Sequence, residues 1–374
     1  MRLIVSGGGT GGHIYPALAL VESVLKHEPD SQILYVGSYR GLEGSIVPKT
    51  GIDFKQLHVQ GFSRSLSLTN LKTVNLFLKA VKASKKIISD FKPDIVLGTG
   101  GYVSGAVLYA AQRMAVPTVI NEQNSIAGMT NKFLSRGAEK IAISFPHAAN
   151  QFPSGKVILT GNPRGQQVAE QKHDFSLSEF DLDPKKPTVL IFGGSGGALK
   201  INSAIVGFAQ RFVKQDRLQA IFVTGRKYFD SVSTQLADLH VSSRHFVVLP
   251  YLDNMNDVLP KISLLVSRSG ATTLAEITAL GIPSILVPSP NVTANHQEKN
   301  ARQLEEIGAA EVIIETELSA AKLYHDMTDI LDDPAKLATM AQAAKSLGHP
   351  DAADKLYELL TQLIHENQQK KTNA

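Results

Sequence analysis

Short apolar runs that end in glycines and then open into helices recur along this chain, and that alternation restricts the fold more than any other feature. Arg2-Leu-Ile-Val5 leads into Ser6-Gly-Gly-Gly-Thr-Gly-Gly12-His13 and then a helix from about Ile14 to Lys26, with Pro16 expected in its first turn. Asp94-Ile-Val-Leu97 leads into Gly98-Thr-Gly-Gly101-Tyr102-Val103-Ser104-Gly105, and Thr188-Val-Leu-Ile-Phe192 into Gly193-Gly194-Ser195-Gly196-Gly197-Ala198. Residues 264–301 give the fullest case. Leu264-Leu265-Val266 ends at Ser267-Arg268-Ser269-Gly270, a helix opens with Ala271-Thr272-Thr273, and Gly281 and Pro283 stop it. A further run, Ile285-Leu286-Val287, then leads to a polar loop holding Asn295, His296 and Gln297. Strand, glycine turn, helix is the order that presents unpaired amides and a positive helix end to a phosphate.

The expected class is therefore α/β, with two Rossmann-like domains whose parallel sheets face across a cleft. The polar stretch around Gly161-Asn162-Pro163-Arg164 interrupts the pattern before it restarts at Thr188. That places an N-terminal domain at 1–161, a second at 162–345, and a C-terminal helix in 346–374 that packs back on the first. The 374 residues suffice for two cores. There is no cysteine, so no disulfide framework or thiolate metal site. The chain has no signal-peptide core at its start and no run of 18 apolar residues. Through Gly161 there are 17 Lys+Arg against 9 Asp+Glu; the remainder is net acidic, at 21 against 25. The basic first half points to an acidic surface or ligand.

Several residues admit two readings. Gly7-x-Gly9-x-x-Gly12 satisfies the dinucleotide fingerprint, but the second strand ends in Gly37-Ser38 where a ribose-binding acid belongs, which weakens a nicotinamide or flavin site. Glu276 is placed to accept bonds from a ribose, while Thr273-Leu-Ala-Glu276 also reads as a capping box. His13 is either a capping group or a ligand-orienting or catalytic one. In residues 70–90, Leu71, Val74, Phe77, Leu78, Val81 and Ile88 share a helical face, beside a stripe of Lys72, Lys79, Lys82 and Lys86. The plain reading is a core helix with a solvated basic side; the sharper one is contact with anionic lipid.

In order along the chain, Gly8-Gly-Thr-Gly-Gly-His13, Gly100-Gly-Tyr-Val-Ser-Gly105, Glu122-Gln-Asn124 with Thr130-Asn-Lys132, Gly161-Asn-Pro-Arg164, Gly193-Gly-Ser195, Arg268-Ser-Gly-Ala-Thr-Thr-Leu-Ala-Glu276 and His296-Gln297 resemble one family closely. It is the bacterial glycosyltransferase family 28 that adds N-acetylglucosamine (GlcNAc) to undecaprenyl-pyrophosphoryl-MurNAc-pentapeptide, converting lipid I to lipid II. The resemblance implies a GT-B architecture and an inverting transfer from UDP-GlcNAc.

Carried across, it sets Arg164 and Ser195 on the donor diphosphate, Leu252 on the uracil, and Ala271, Thr272 and Thr273 at the phosphates. Glu276 falls on the ribose, and His296 and Gln297 on the sugar hydroxyls. Thr10, Gly11, Gly12 and His13, with Gly100, Gly101, Tyr102 and Ser104, fall to the acceptor pyrophosphate; Glu122 and Asn124 fall to its muramyl sugar. Thr10, Gly11, Gly12 and Asn124 are also expected to touch the donor. His13 is the expected base, with Glu122 second. Two positions depart from the family: Gly196, where a glutamine is frequent, and His296, where another polar residue is. No cofactor or metal is expected, since no Asp-x-Asp pair stands in these motifs. Expected partners are UDP-GlcNAc, the polyprenyl-linked acceptor, an anionic membrane surface met through Phe62, Arg64 and the lysine stripe, and cell-wall and division proteins, with no nucleic acid. The expected location is peripheral, on the cytoplasmic face of the cell membrane. Two other functions fit much of the pattern: a UDP-GlcNAc 2-epimerase and a non-catalytic nucleotide-sugar-binding protein.

Overall fold

A computed structural model describes residues 1–61, 68–171, 174–241 and 244–373. The chain forms two compact units, Met1–Gln167 with Asp351–Ala374, and Val168–Pro350. The division falls inside the helix Pro163–Glu170, so Asn162 and Arg164 belong to the first unit.

The first unit is built on a parallel sheet of seven strands: β1 (Arg2–Gly7), β2 (Gln32–Ser38), β3 (Asp53–Leu57), β4 (Ile95–Gly100), β5 (Thr118–Glu122), β6 (Lys140–Ile143) and β7 (Val157–Leu159), in the order β3-β2-β1-β4-β5-β6-β7. Alternation along β1 decides which face each helix covers. Leu3 and Val5 point to the helix Gly11–His27, where Ile14, Leu20 and Val24 meet them, while Ile4 faces Val81, Ile88, Val103 and Val107 on the opposite side. All of these are buried, and each full burial contributes about 1.5–3 kcal/mol.

The final helix, Ala352–Thr372, closes the first of these layers with Leu356, Leu360 and Leu363. Its N-terminal end is fastened by polar contacts. Asp354 Oδ1 accepts from Ser23 Oγ at 2.8 Å and meets His27 Nε2 at 3.1 Å, and the His27 ring stacks on Tyr357 with centroids 4.7 Å apart. Burial works to raise the Asp354 carboxyl, but hydrogen bonds from Ser23, His27 and Gln166 outweigh it and hold the group below its ordinary value.

The second unit repeats the plan with six parallel strands: β8 (Thr188–Phe192), β9 (Gln219–Val223), β10 (Phe246–Leu249), β11 (Leu264–Ser267), β12 (Ser284–Leu286) and β13 (Ala310–Val312), ordered β10-β9-β8-β11-β12-β13. In both units the strand order reverses beside the first strand of the series, between β1 and β4 and between β8 and β11. Ligands of open α/β sheets bind outside the carboxyl ends of strands at such a switch point. The glycine loops after β1, β4 and β8 and the Arg268–Gly270 turn after β11 occupy those positions.

Two local expectations change. Glycines 11 and 12 form the first turn of the helix Gly11–His27, so Pro16 is its sixth residue, not part of the opening turn. With no N–H, Pro16 denies the Gly12 carbonyl its i+4 donor. In the helix Leu68–Phe91, Val81 and Ile88 are core residues as the spacing implies, but Val74 and Leu78 are exposed, at 44% and 60%.

Candidate active site

In the first unit the loop after β1 is held from behind by Glu43, a fully buried carboxylate. Its Oε1 accepts from the Ser38 amide at 2.7 Å and Ser38 Oγ at 2.6 Å, and its Oε2 accepts from the Gly9 amide at 2.9 Å. Only glycines fit around it: a β-carbon at Gly8, Gly37 or Gly41 would come within 2.1, 2.5 or 2.0 Å of a Glu43 atom. Gly37, whose lack of a side chain argues against a dinucleotide site, is thus one wall of the Glu43 pocket. The charge also acts on Tyr35, whose hydroxyl donates to the Gly7 carbonyl at 2.9 Å. Burial, with the nearby Glu43 carboxylate adding to it, pushes the Tyr35 phenol well above its ordinary value. Neither Glu43 nor Tyr35 was marked by any motif.

His13 stands in the first turn of the helix after this loop, half-buried. Its carbonyl accepts from Thr99 Oγ1 at 2.7 Å, and its Nδ1 lies 3.4 Å from Gln123 Oε1. Gly100 packs against the imidazole, in a left-handed conformation with φ of 119°. Thr10, Gly11, Gly12, Gly101 and the 47%-exposed Tyr102 surround the same strand ends. Ser104 Oγ is buried without a hydrogen-bond partner among the described residues. The residue is fully buried and lies beside β4, where a β-carbon on Gly98 would meet its hydroxyl at 2.4 Å.

Glu122 is placed differently from a base. It is 2% exposed, and its carboxylate accepts from the Asn124 amide (3.1 Å), Asn124 Nδ2 (3.3 Å), the Gly128 amide (2.9 Å) and Asn131 Nδ2 (2.8 Å). A carboxylate offers about four lone-pair sites, so these donors fill it. Glu122 braces the loop that carries Asn124.

Arg164 is 8% exposed; its guanidinium lies 5.3 Å over the Tyr15 ring and donates to Gln167 Oε1 at 2.5 Å. Lys72, Lys79, Lys82 and Lys86 are all exposed, and Lys86 pairs with Asp90 at 3.0 Å. Phe62 and Arg64 lie outside the described residues.

In the second unit the helix Ala271–Leu280 begins at Ala271 with Gly270 as its cap. Thr273 is therefore inside the helix, and Glu276 is its sixth residue. The capping-box alternative falls, and Glu276 is left 7% exposed on the helix side. Thr272 Oγ1 is buried without a hydrogen-bond partner among the described residues. Ser195 and Gly196 are exposed on the loop after β8, and Leu252 is 5% exposed.

Beside the helix start, Arg268 donates to the Val287 and Pro288 carbonyls, both at 3.0 Å, and pairs with Glu315, so it fixes the chain leaving β12. Ser269 Oγ donates to the Gln297 carbonyl at 2.8 Å, and Gln297 Oε1 accepts from the Ser289 amide at 2.8 Å. His296 and Gln297 are both half-buried at the start of the following helix. Ala294 and Asn295 both take positive φ, 54° and 51°, just before His296. For alanine this conformation is strained, a cost typical of functional loops.

Known proteins show the family. The N-terminal domain model of glycosyltransferase family 28 matches residues 3–143 and its C-terminal domain model residues 188–356. The chain belongs to glycosyltransferase family 28. Among family members, it is 81% identical to the UDP-N-acetylglucosamine--N-acetylmuramyl-(pentapeptide) pyrophosphoryl-undecaprenol N-acetylglucosamine transferase of Oenococcus oeni, covering 100% of both chains. It is 57% identical to the protein of that name from Leuconostoc citreum, over 97% of this chain and 99% of that one. The crystal structure of Acinetobacter baumannii MurG superposes with a TM-score of 0.76 at 26% identity, covering 96% of this chain and 99% of that one. UDP-GlcNAc 2-epimerase from Neisseria meningitidis, at 16% identity and a TM-score of 0.68 over 97% and 100% of the two chains, shares the fold alone. The two-domain family architecture thus agrees with the α/β reading of the sequence.

Proposed function

We infer that this chain transfers GlcNAc from UDP-GlcNAc to the C4 hydroxyl of the MurNAc residue in undecaprenyl-pyrophosphoryl-MurNAc-pentapeptide, turning lipid I into lipid II for peptidoglycan synthesis. The observation that carries the reading is the end-to-end 81% identity to the Oenococcus oeni transferase.

The second unit takes the donor. The amides of Ala271, Thr272 and Thr273 at a helix start meet the diphosphate, and the unpartnered Thr272 hydroxyl supplies a further donor. Ser195 lies on the glycine loop after β8, and Arg164 is the cation assigned to the diphosphate. Glu276 takes the ribose, Leu252 the uracil, and His296 and Gln297 the sugar hydroxyls. The first unit takes the acceptor pyrophosphate on the loops after β1 and β4.

The C4 oxygen attacks the anomeric carbon as the bond from that carbon to the β-phosphate oxygen breaks, inverting the centre. His13 removes the hydroxyl proton, and UDP departs with the bonding pair. Charge building on the leaving diphosphate is met by fixed amides, so the transfer needs no divalent metal.

The enzyme works attached to the cytoplasmic face of the membrane that holds its acceptor. Among the described residues no helix is long and apolar enough to cross a membrane. The support for surface attachment is a patch on the first unit. Val74 and Leu78 lie exposed beside the lysine stripe, and the ring series Phe77–Tyr109–Phe133, with centroids 6.1 and 5.9 Å apart, extends it to Phe133 and Met129, which are 62% and 74% exposed. Apolar residues rimmed by lysines suit an anionic bilayer.

UDP-GlcNAc given with and without a short-chain lipid I analogue tests the function against its rivals. A transferase releases UDP only with the acceptor present. UDP-N-acetylmannosamine formed without acceptor would indicate the epimerase, and binding with no product in either tube the non-catalytic protein.

A further inference from the structure

We propose that Gln123 is a positioning residue that holds the neutral His13 imidazole with its proton on Nδ1 and its lone pair on Nε2. The inference rests on the reading of His13 as the base, and deepens it by naming the nitrogen that takes the acceptor's proton.

Gln123 directly follows β5 and is 1% exposed. Its Nε2 donates to the backbone carbonyl of Asn121 at 2.9 Å and to Asn121 Oδ1 at 2.7 Å. A backbone carbonyl can only accept, so the amide nitrogen must face it; turning the amide over would set oxygen against oxygen. The orientation of Gln123 is therefore settled by its neighbour, and its Oε1 faces the other way, 3.4 Å from His13 Nδ1. An amide oxygen also only accepts, so Nδ1 must bring the proton. The contact is long, yet the two neutral tautomers differ little in energy, and a modest bias decides between them.

The surroundings limit the alternatives. Thr99 fixes the His13 carbonyl, and Gly100 closes one side of the ring, so the imidazole has little room to turn from Gln123. Asn121 is fully buried and its Nδ2 has no partner among the described residues. An orphaned buried donor is costly, and an apolar side chain would avoid it. What Asn121 contributes is the oxygen that orients Gln123. The simpler role for Gln123 is a strut that stiffens residues 121–124, with no effect on the histidine's chemistry.

The deciding experiment records nitrogen–proton correlations of the full-length protein labelled with 15N-histidine, with the His13 signals assigned by their loss in His13→Asn. The expected result is His13 with its proton on Nδ1 in the parent, moving toward the mixture of free imidazole in Gln123→Leu. That variant should lose about tenfold or more in kcat, with KM for UDP-GlcNAc within about twofold. In Gln123→Glu a carboxylate facing Nδ1 favours the imidazolium, so the acid limb of the kcat profile should move up by about one pH unit; a strut would leave it in place. A proton on Nε2 in the parent would overturn the proposal. So would a tautomer and an acid limb unmoved in the two Gln123 variants. If the tautomer responds to Gln123 while His13→Asn keeps full transfer, the tautomer assignment stands and the base reading falls.

Discussion

Gly100 leaves room for the His13 ring that no side chain could share: a β-carbon at position 100 would stand 2.7 Å from the His13 Cε1 and 2.8 Å from its Nδ1. Gly100→Ala is therefore expected to displace the imidazole, and its φ of 119° adds strain that no L-residue relieves. A displacement near 1 Å costs about 100-fold in rate. The expected outcome is a loss of that size in kcat, with UDP-GlcNAc affinity by calorimetry changed far less, because most of the proposed donor contacts lie in the second unit.

Glu43→Gln should loosen the loop after β1. The amide keeps one acceptor oxygen, so either Ser38 or the Gly9 N–H faces an NH2 group. Losing a buried, charge-assisted acceptor costs about 1.5–3 kcal/mol. Denaturant melts should show a drop in that range, together with a raised KM for the lipid acceptor.

Charge reversal on the lysine stripe tests membrane attachment separately from chemistry. Each lysine near an anionic bilayer contributes about 1 kcal/mol, roughly a fivefold change in affinity. Lys79→Glu with Lys82→Glu should weaken sedimentation with anionic vesicles by more than tenfold, and raised salt should weaken the parent in the same way. Turnover of a soluble short-chain acceptor should stay at the parent level.

The docking of the last helix should depend on pH through Asp354. Its carboxyl is depressed in the folded protein, so its contribution is present above the unfolded-state value of about 4 and is lost as pH falls through the lower, folded value. Asp354→Asn should reduce stability near pH 7, and the difference from the parent should be smaller at a pH well below about 4. Chemical denaturation at both pH values reads this directly.

The two sheets and their switch-point loops were legible because each strand is a short apolar run and each loop needs glycine for a tight turn or a close neighbour. Gly100 shows both needs at once. Glu276 reads in the sequence either as a ribose ligand or as part of a capping box, and only the helix start separates them, the observed cap being Gly270, three residues before Thr273. Glu43 was not legible. Its neighbours Gly41 and Leu42 mark a turn, and only packing reveals that its carboxylate reaches back to Gly9. Val74 and Leu78 show another limit: spacing places them on the apolar side of a helix but cannot tell a buried face from an exposed one. Glu122 stands beside Asn124 in a motif, yet its role as a brace depends on Gly128 and Asn131, which arrive from the following loop and helix.

The most direct measurement follows labelled GlcNAc from its UDP ester into a short-chain lipid I analogue with EDTA present. The expected result is label in the lipid fraction, β-linked to the muramyl C4 oxygen, at a rate that added magnesium does not raise. Label remaining on UDP with and without magnesium would contradict the transferase, and label transferred only when magnesium is added would contradict the metal-free step.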